Sequence, residues 1–142
     1  MLSKQPSKNS LTNKMRLLHT MFRVNDLSLS IKFYTEVLSM KLLRKTDYSE
    51  GEFSLAFLGY GDEANTTVLE LTYNWTTSEY ERGNAFGHIA IAVRDIYEFS
   101  DYLRNLGIEV IRPPGPMKAD GSEIIAFIKD PDGYQIELIE RE

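Results

Sequence analysis

The chain has 142 residues, 42% of them hydrophobic and 26% charged, with a formal net charge of −5. That length suits one domain or two small halves fused into one. The acidic balance excludes a protein that grips nucleic acid through a basic face, and no apolar run approaches the ~18 residues of a membrane-spanning helix. There is no cysteine, so disulfides, thiolate metal centres and cysteine nucleophiles are excluded. Any metal must be held by nitrogen and oxygen, which suits zinc, nickel, cobalt or manganese.

Residues 1–14, MLSKQPSKNSLTNK, are polar and lysine-rich. They lack the apolar centre of a secretory signal and read as a disordered tail. The expected location of the protein is the cytoplasm. A strand follows over residues 16–24. Asp26 caps a helix over about 27–38, with Leu27, Ile31, Tyr34 and Leu38 at helical spacing. Short strands are expected at 40–46, 52–60 and 66–74, the last two around Gly59-Tyr60-Gly61-Asp62. Residues 75–85 form a polar connector with one helical turn at Ser78–Arg82. The order then repeats. A strand covers 86–93, and Asp95 caps a helix over about 96–106 that Gly107 closes. Strands follow at 108–112, 122–129 and 134–139, the last two joined by the Pro131-Asp132-Gly133 turn. Each half is βαβββ, module one spanning about 15–75 and module two about 86–140. The fold class is α+β, a mixed sheet curled around a cleft.

The halves resemble each other in detail. HTMFRVNDLSLSIKFYTEVLSMKLLR matches HIAIAVRDIYEFSDYLRNLGIEVIR, and AFLGY…VLELTYN matches AFIKDPDGYQIELIE. His19 aligns with His88, Asp26 with Asp95, Arg44 with Arg112, Phe57 with Phe127 and Glu70 with Glu137. The offset drifts only where a turn gains or loses a residue. Such self-similarity is structural information in its own right. The chain holds two histidines, and each opens a repeat. Each glutamate sits between apolar residues near the end of its repeat, in Leu69-Glu70-Leu71 and Ile136-Glu137-Leu138. A lone histidine at a strand start is more often an ordinary core or surface residue, and alternation would turn a lone Glu70 to solvent. Four such residues at equivalent positions point instead to a divalent metal site, because a carboxylate on a buried sheet is costly unless paired or metal-bound.

These segments identify a resemblance. MRLLHTMFRVNDLSLSIKFYTEVLSMKLLR, FSLAFLGYG, VLELTYNW, FGHIAIAV and FIKDPDGYQIELIE are similar to glyoxalase I, or lactoylglutathione lyase, of the vicinal oxygen chelate superfamily, over about residues 15–140. DPDGY…IEL occurs across the superfamily, whereas HTMFRV with ELTYNW is more specific. The length looks like the short bacterial form. The resemblance implies His19, Glu70, His88 and Glu137 as metal ligands, completed by two waters. It also implies a homodimer, with His19 and Glu70 from one subunit and His88 and Glu137 from the other. The implied ion is nickel, with cobalt or zinc as alternatives. Glutathione is the implied co-substrate, and Arg23, Asn74 and His88 are the implied substrate contacts. Glu137 is the implied base, with Glu70 its symmetry mate for the other stereoisomer. The implied reaction turns the hemithioacetal of methylglyoxal and glutathione into S-lactoylglutathione. Asn84 stands where some members carry an arginine, four residues before the second histidine, and Arg82 is out of register with it. Lys118, in the Gly115–Gly121 loop, is a further candidate for the second glutathione carboxylate, although a lysine in such a loop is more often an ordinary solvated residue. The competing readings are a methylmalonyl-CoA epimerase-like proton transfer and a non-catalytic small-ligand-binding module of the same fold.

Overall fold

The computed structural model describes residues 3–77 and 79–142. Eleven elements follow in chain order. They are α1 (Lys8–Thr12), β1 (His19–Arg23), α2 (Leu27–Lys32), β2 (Lys41–Tyr48), β3 (Phe53–Gly59), β4 (Val68–Asn74), β5 (His88–Val93), α3 (Ile96–Asn105), β6 (Val110–Pro116), β7 (Ile124–Lys129) and β8 (Gln135–Glu140). The duplication is visible in the topology. β1-β4-β3-β2 form one four-stranded sheet and β5-β8-β7-β6 another, with identical strand order. In each, the first strand pairs parallel with the last and the other pairs are antiparallel. The α+β, two-module architecture is therefore the one the repeat implies. The modules build two separately hydrogen-bonded sheets, where the sequence suggests a single curled one.

Alternation sets the two faces of each sheet. Along β4, Leu69 and Leu71 are buried and Tyr73 packs on the core, while Glu70, Thr72 and Asn74 point the other way and are half-exposed. Along β8, Ile136 and Leu138 are fully buried and Glu137 is not. The core-side residues of both sheets join Leu27, Phe33, Tyr34 and Leu38 from the first helical segment, and Ile96 and Leu103 from α3, in one hydrophobic cluster. One core thus serves both modules, and the opposite face of each sheet stays open.

The modules are also stitched by polar contacts at the Asp130–Tyr134 turn. The buried Tyr34 hydroxyl donates to Asp130 Oδ2 at 2.7 Å. Asp132 accepts from the Asn25 backbone N–H at 2.9 Å and from the Ser30 hydroxyl at 3.2 Å. The Tyr134 hydroxyl donates to the Arg23 carbonyl at 2.7 Å, and its ring stacks on Phe22 with centroids 4.4 Å apart. Burial pushes the Asp130 carboxyl above its ordinary value, and hydrogen bonds from Tyr34, Tyr134 and Asp132 pull part of the way back. Gly133, at φ 89°, supplies the left-handed residue of this turn.

Three local expectations need correction. The first long helix is α-helical only to Lys32, and Phe33–Val37 widens into a π-helical turn closed by the Leu38 N–H on the Phe33 carbonyl at 3.2 Å. Apolar spacing does not distinguish the two windings. Asp26 caps its helix through Leu29 N–H at 3.0 Å. Asp95 does not cap. It is left-handed at φ 45°, makes no side-chain cap bond, and leaves the Ile96 N–H to Glu140 Oε2 at 3.1 Å. The helical turn expected at Ser78–Arg82 begins outside the described residues, and Glu79–Arg82 are not helical. Over residues 1–14, the exposed helix α1 is capped by Ser7. Among the described residues no helix is long and apolar enough to cross a membrane.

Candidate metal and substrate site

Each sheet places one histidine against one glutamate on its open face. In module one, parallel pairing sets Met21 opposite Glu70, and His19 Nε2 lies 2.8 Å from Glu70 Oε2. In module two, Ala90 lies opposite Glu137, and His88 Nε2 is 3.6 Å from Glu137 Oε1. The imidazoles are 40% and 41% exposed and the carboxylates 12% and 14%. Each pair therefore sets a partly exposed imidazole against a sheltered carboxylate. Neighbouring ligands of one ion with bonds near 2.1 Å stand roughly 3.0–3.4 Å apart, so each pair needs a shift of only about 0.2 Å, apart for His19–Glu70 and together for His88–Glu137, to take adjacent coordination positions. The donors are imidazole and carboxylate only, the set that borderline divalent ions accept.

The surroundings repeat as well. Phe57 is the register partner of Glu70, and Phe127 that of Glu137. Each ring meets its histidine edge-on, at 5.8 Å for Phe57 and 5.2 Å for Phe127. Arg44 and Arg112 are the partners of Phe57 and Phe127 on the next strand. Here the modules diverge. The Arg44 guanidinium lies 3.7 Å above the Phe57 ring and binds both Glu63 oxygens, at 3.1 and 2.9 Å. Arg112 is spent on the carbonyls of Pro113, Gly115, Pro116 and Ile125. The alignment of Phe57 with Phe127 and Arg44 with Arg112 pointed to these residues, but the roles of buttress and clamp come only from the register.

The structure brings the four expected ligands together as two pairs, not as one cluster. Among the described residues no three His, Asp or Glu side chains gather around a point. One chain thus presents two separate His–Glu pairs.

Arg23 follows His19 and Met21 on the same face of β1, exposed and without a side-chain hydrogen bond among the described residues. Asn74 ends β4, beyond Glu70 on the same face, and its amide donates to the Tyr80 hydroxyl at 3.1 Å. A cleft of about 390 Å³ runs along β1, bordered by Met21, Arg23, Tyr80, Arg82, Phe86 and Tyr134. Tyr80 was not among the expected residues, and its partnership with Asn74 across the connector has no sequence signal. Lys118 is exposed and borders none of the clefts described. Asn84 is exposed too.

Two βαβββ modules, each with a His–Glu pair on its open face, define a class of metal-site protein built by duplication. The chain belongs to the Glyoxalase/Bleomycin resistance protein/Dioxygenase superfamily, which it matches over residues 16–138. It is 58% identical over 126 residues to a probable lactoylglutathione lyase of Synechocystis sp., covering 89% of this chain and 95% of the relative. It is 57% identical over 126 residues to the lactoylglutathione lyase of Salmonella typhimurium, covering 89% and 93%. Among solved structures, the trypanothione-dependent glyoxalase I of Leishmania major superposes with a TM-score of 0.80 at 49% identity, over 89% of this chain and 87% of that one. Glyoxalase I from Zea mays superposes with a TM-score of 0.83 at 46% identity, over 89% of this chain but only 44% of the longer maize chain.

Proposed function

We propose that the protein is a lactoylglutathione lyase that isomerises the hemithioacetal of methylglyoxal and glutathione to S-lactoylglutathione, and so removes methylglyoxal. The carrying observation is a His–Glu pair at the equivalent place on each of two sheets, in a chain 58% identical to a probable lactoylglutathione lyase. An epimerase or a metal-free binding module is not favoured beside it.

The site is a divalent metal centre. We assign His19, Glu70, His88 and Glu137 as its protein ligands, with His19 and Glu70 from one subunit of a homodimer and His88 and Glu137 from the other. The separation of the pairs within one chain supports this assignment, since two donors alone hold an ion weakly. A symmetric dimer that faces module one of one copy with module two of the other makes two such centres. The open faces of both sheets leave room for it. Nickel is the ion we favour, on the likeness to the short bacterial form, and the N/O donor set also accepts cobalt and zinc. When bound, the ion supplies Lewis-acid polarisation of the substrate's two neighbouring oxygens.

The remaining chemistry falls to the side chains. The reaction moves the hydrogen on C1, the carbon bearing sulfur, to C2, while the C1 hydroxyl proton passes to the C2 oxygen. No electrons are gained or lost overall. A carboxylate must remove the C1 proton and return it to C2, and it needs reach before a tuned pKa. Glu137 is our assignment for this work, with Glu70 serving the opposite stereoisomer. Both stand on rigid strands with most of their surface sheltered, which keeps water from competing for the proton. Arg23 offers a planar fork matched to a carboxylate of glutathione, and Asn74 offers an amide beside it. His88 borders the substrate as well as the ion.

The test is thioester formation from premixed methylglyoxal and glutathione by metal-stripped protein, with nickel, cobalt and zinc added back separately. Turnover that appears only with metal is expected, highest with nickel. A folded, metal-loaded protein that forms no thioester with any ion overturns the reading.

A further inference from the structure

We infer that Arg82 is a second anion-binding residue of the substrate cleft, so that Arg23 and Arg82 each take one carboxylate of the thiol co-substrate. The inference rests on the lactoylglutathione lyase reading and deepens it. Glutathione carries two carboxylates well separated along a tripeptide, and one guanidinium cannot serve both. Asn84 carries no charge to offer the second.

The structure puts Arg82 on the same cleft as Arg23 and holds it there. Its Nη1 donates to the Asp132 carbonyl at 2.5 Å, and its Cζ lies 5.3 Å from the centre of the Tyr134 ring. The hydroxyl of that same Tyr134 donates to the Arg23 carbonyl. One tyrosine therefore ties the two arginine positions together across the module boundary. One N–H of five is used on the carbonyl, the guanidinium lies flat against Gly133, and its other donors make no hydrogen bond among the described residues of this exposed side chain. Neither guanidinium has a carboxylate partner among the described residues. Glu81 also borders the cleft, but it is exposed and bonded to neither arginine. In a chain of net charge −5, two unpaired guanidinium groups on one cleft form a local anion site. A guanidinium resting on an aromatic ring loses less freedom on binding than a free one.

The experiment compares wild type, Arg82→Gln and Arg82→Lys with three thiols: glutathione, its glycyl monoester, and an analogue lacking the α-carboxylate of the γ-glutamyl residue. Glutamine ends two bonds short of Nη1, so Arg82→Gln loosens the anchor on the Asp132 carbonyl as well as removing the charge, and Arg82→Lys with the three-thiol comparison separates the two effects. With glutathione, Arg82→Gln should raise KM about three- to tenfold with kcat little changed, and Arg82→Lys should recover part of the loss. With one of the two modified thiols the wild type should already show that loss, and Arg82→Gln should add little to it. An unchanged KM in Arg82→Gln overturns the inference. So does an equal rise for all three thiols, or a loss confined to kcat and melting temperature, which would mark a purely structural anchor. A wild type without turnover would instead overturn the functional reading itself.

Discussion

Replacing Tyr34 by Phe removes one oxygen from the middle of the molecule and leaves the packing in place. The Tyr34 side chain is fully buried, and its hydroxyl donates to Asp130 at 2.7 Å, from module one to module two. Asp130 is itself 6% exposed and keeps two backbone donors, Asp132 N–H at 3.0 Å and Tyr134 N–H at 2.8 Å. A hydrogen bond to a charged group contributes about 1.5–3 kcal/mol. The retained donors place the expected loss in that range, below the larger cost of an uncompensated charge. With a urea slope of about 2 kcal/mol per molar, the midpoint should fall by about 1 M with the slope unchanged. Protein concentration is held fixed, since assembly adds to apparent stability.

The loss should also depend on pH. Burial raises the Asp130 carboxyl above its unfolded value, and the Tyr34 bond is one of the influences that lower it. Because the folded value is raised, the ionised group weakens the fold, and the penalty is relieved as pH falls through the folded pKa. Without Tyr34 the folded pKa rises further. The gap between wild type and Tyr34→Phe is therefore widest at neutral pH and narrows on acidification toward the carboxylate range. A gap below about 0.5 kcal/mol, or one of constant size across that range, would refute the account of this buried pair.

Other consequences can be checked alongside. Glu137→Gln should nearly abolish thioester formation while part of the bound metal survives, measured by turnover and metal content on the same sample; full activity would sink the assignment of the base. His19→Ala should weaken metal binding at least about tenfold in a competition titration while the melting temperature of the metal-free protein stays near wild type, because the imidazole is 40% exposed. Phe57→Ala empties a site only 5% exposed and removes the edge contact to His19. It should cost about 3–5 kcal/mol in urea unfolding, and a loss under 1 kcal/mol would show that the sheet collapses freely around it.

Much of this molecule is legible before folding because it is written twice. The pairing of His19 with Glu70 and of His88 with Glu137 follows from equal positions on the first and last strands of a repeat. Parallel β1–β4 and β5–β8 ladders then make them neighbours. The same symmetry misleads where the copies have drifted. Asp26 and Asp95 align, yet the first caps its helix and the second yields to Glu140, a partner distant in sequence. Arg44 and Arg112 align, yet one binds a carboxylate over a ring and the other grips four carbonyls. The separation of the two His–Glu pairs depends on how the sheets sit in space, which periodicity does not encode. The place of Arg82 beside Arg23 is equally hidden, because it comes from an irregular connector folded against a distant turn.

Complementation between two impaired variants tests the composite centre most directly. Glu70→Gln and Glu137→Gln proteins, each assayed alone first so that its residual rate can be subtracted, would be unfolded together, refolded as a mixture and assayed with metal. If module one of one copy faces module two of the other, the mixed dimer holds one doubly altered centre and one intact centre. Random assembly then restores about a quarter of the wild-type rate. A mixture as inactive as its components, although shown to contain mixed dimers, would mean that all four ligands act within one chain and would contradict the account.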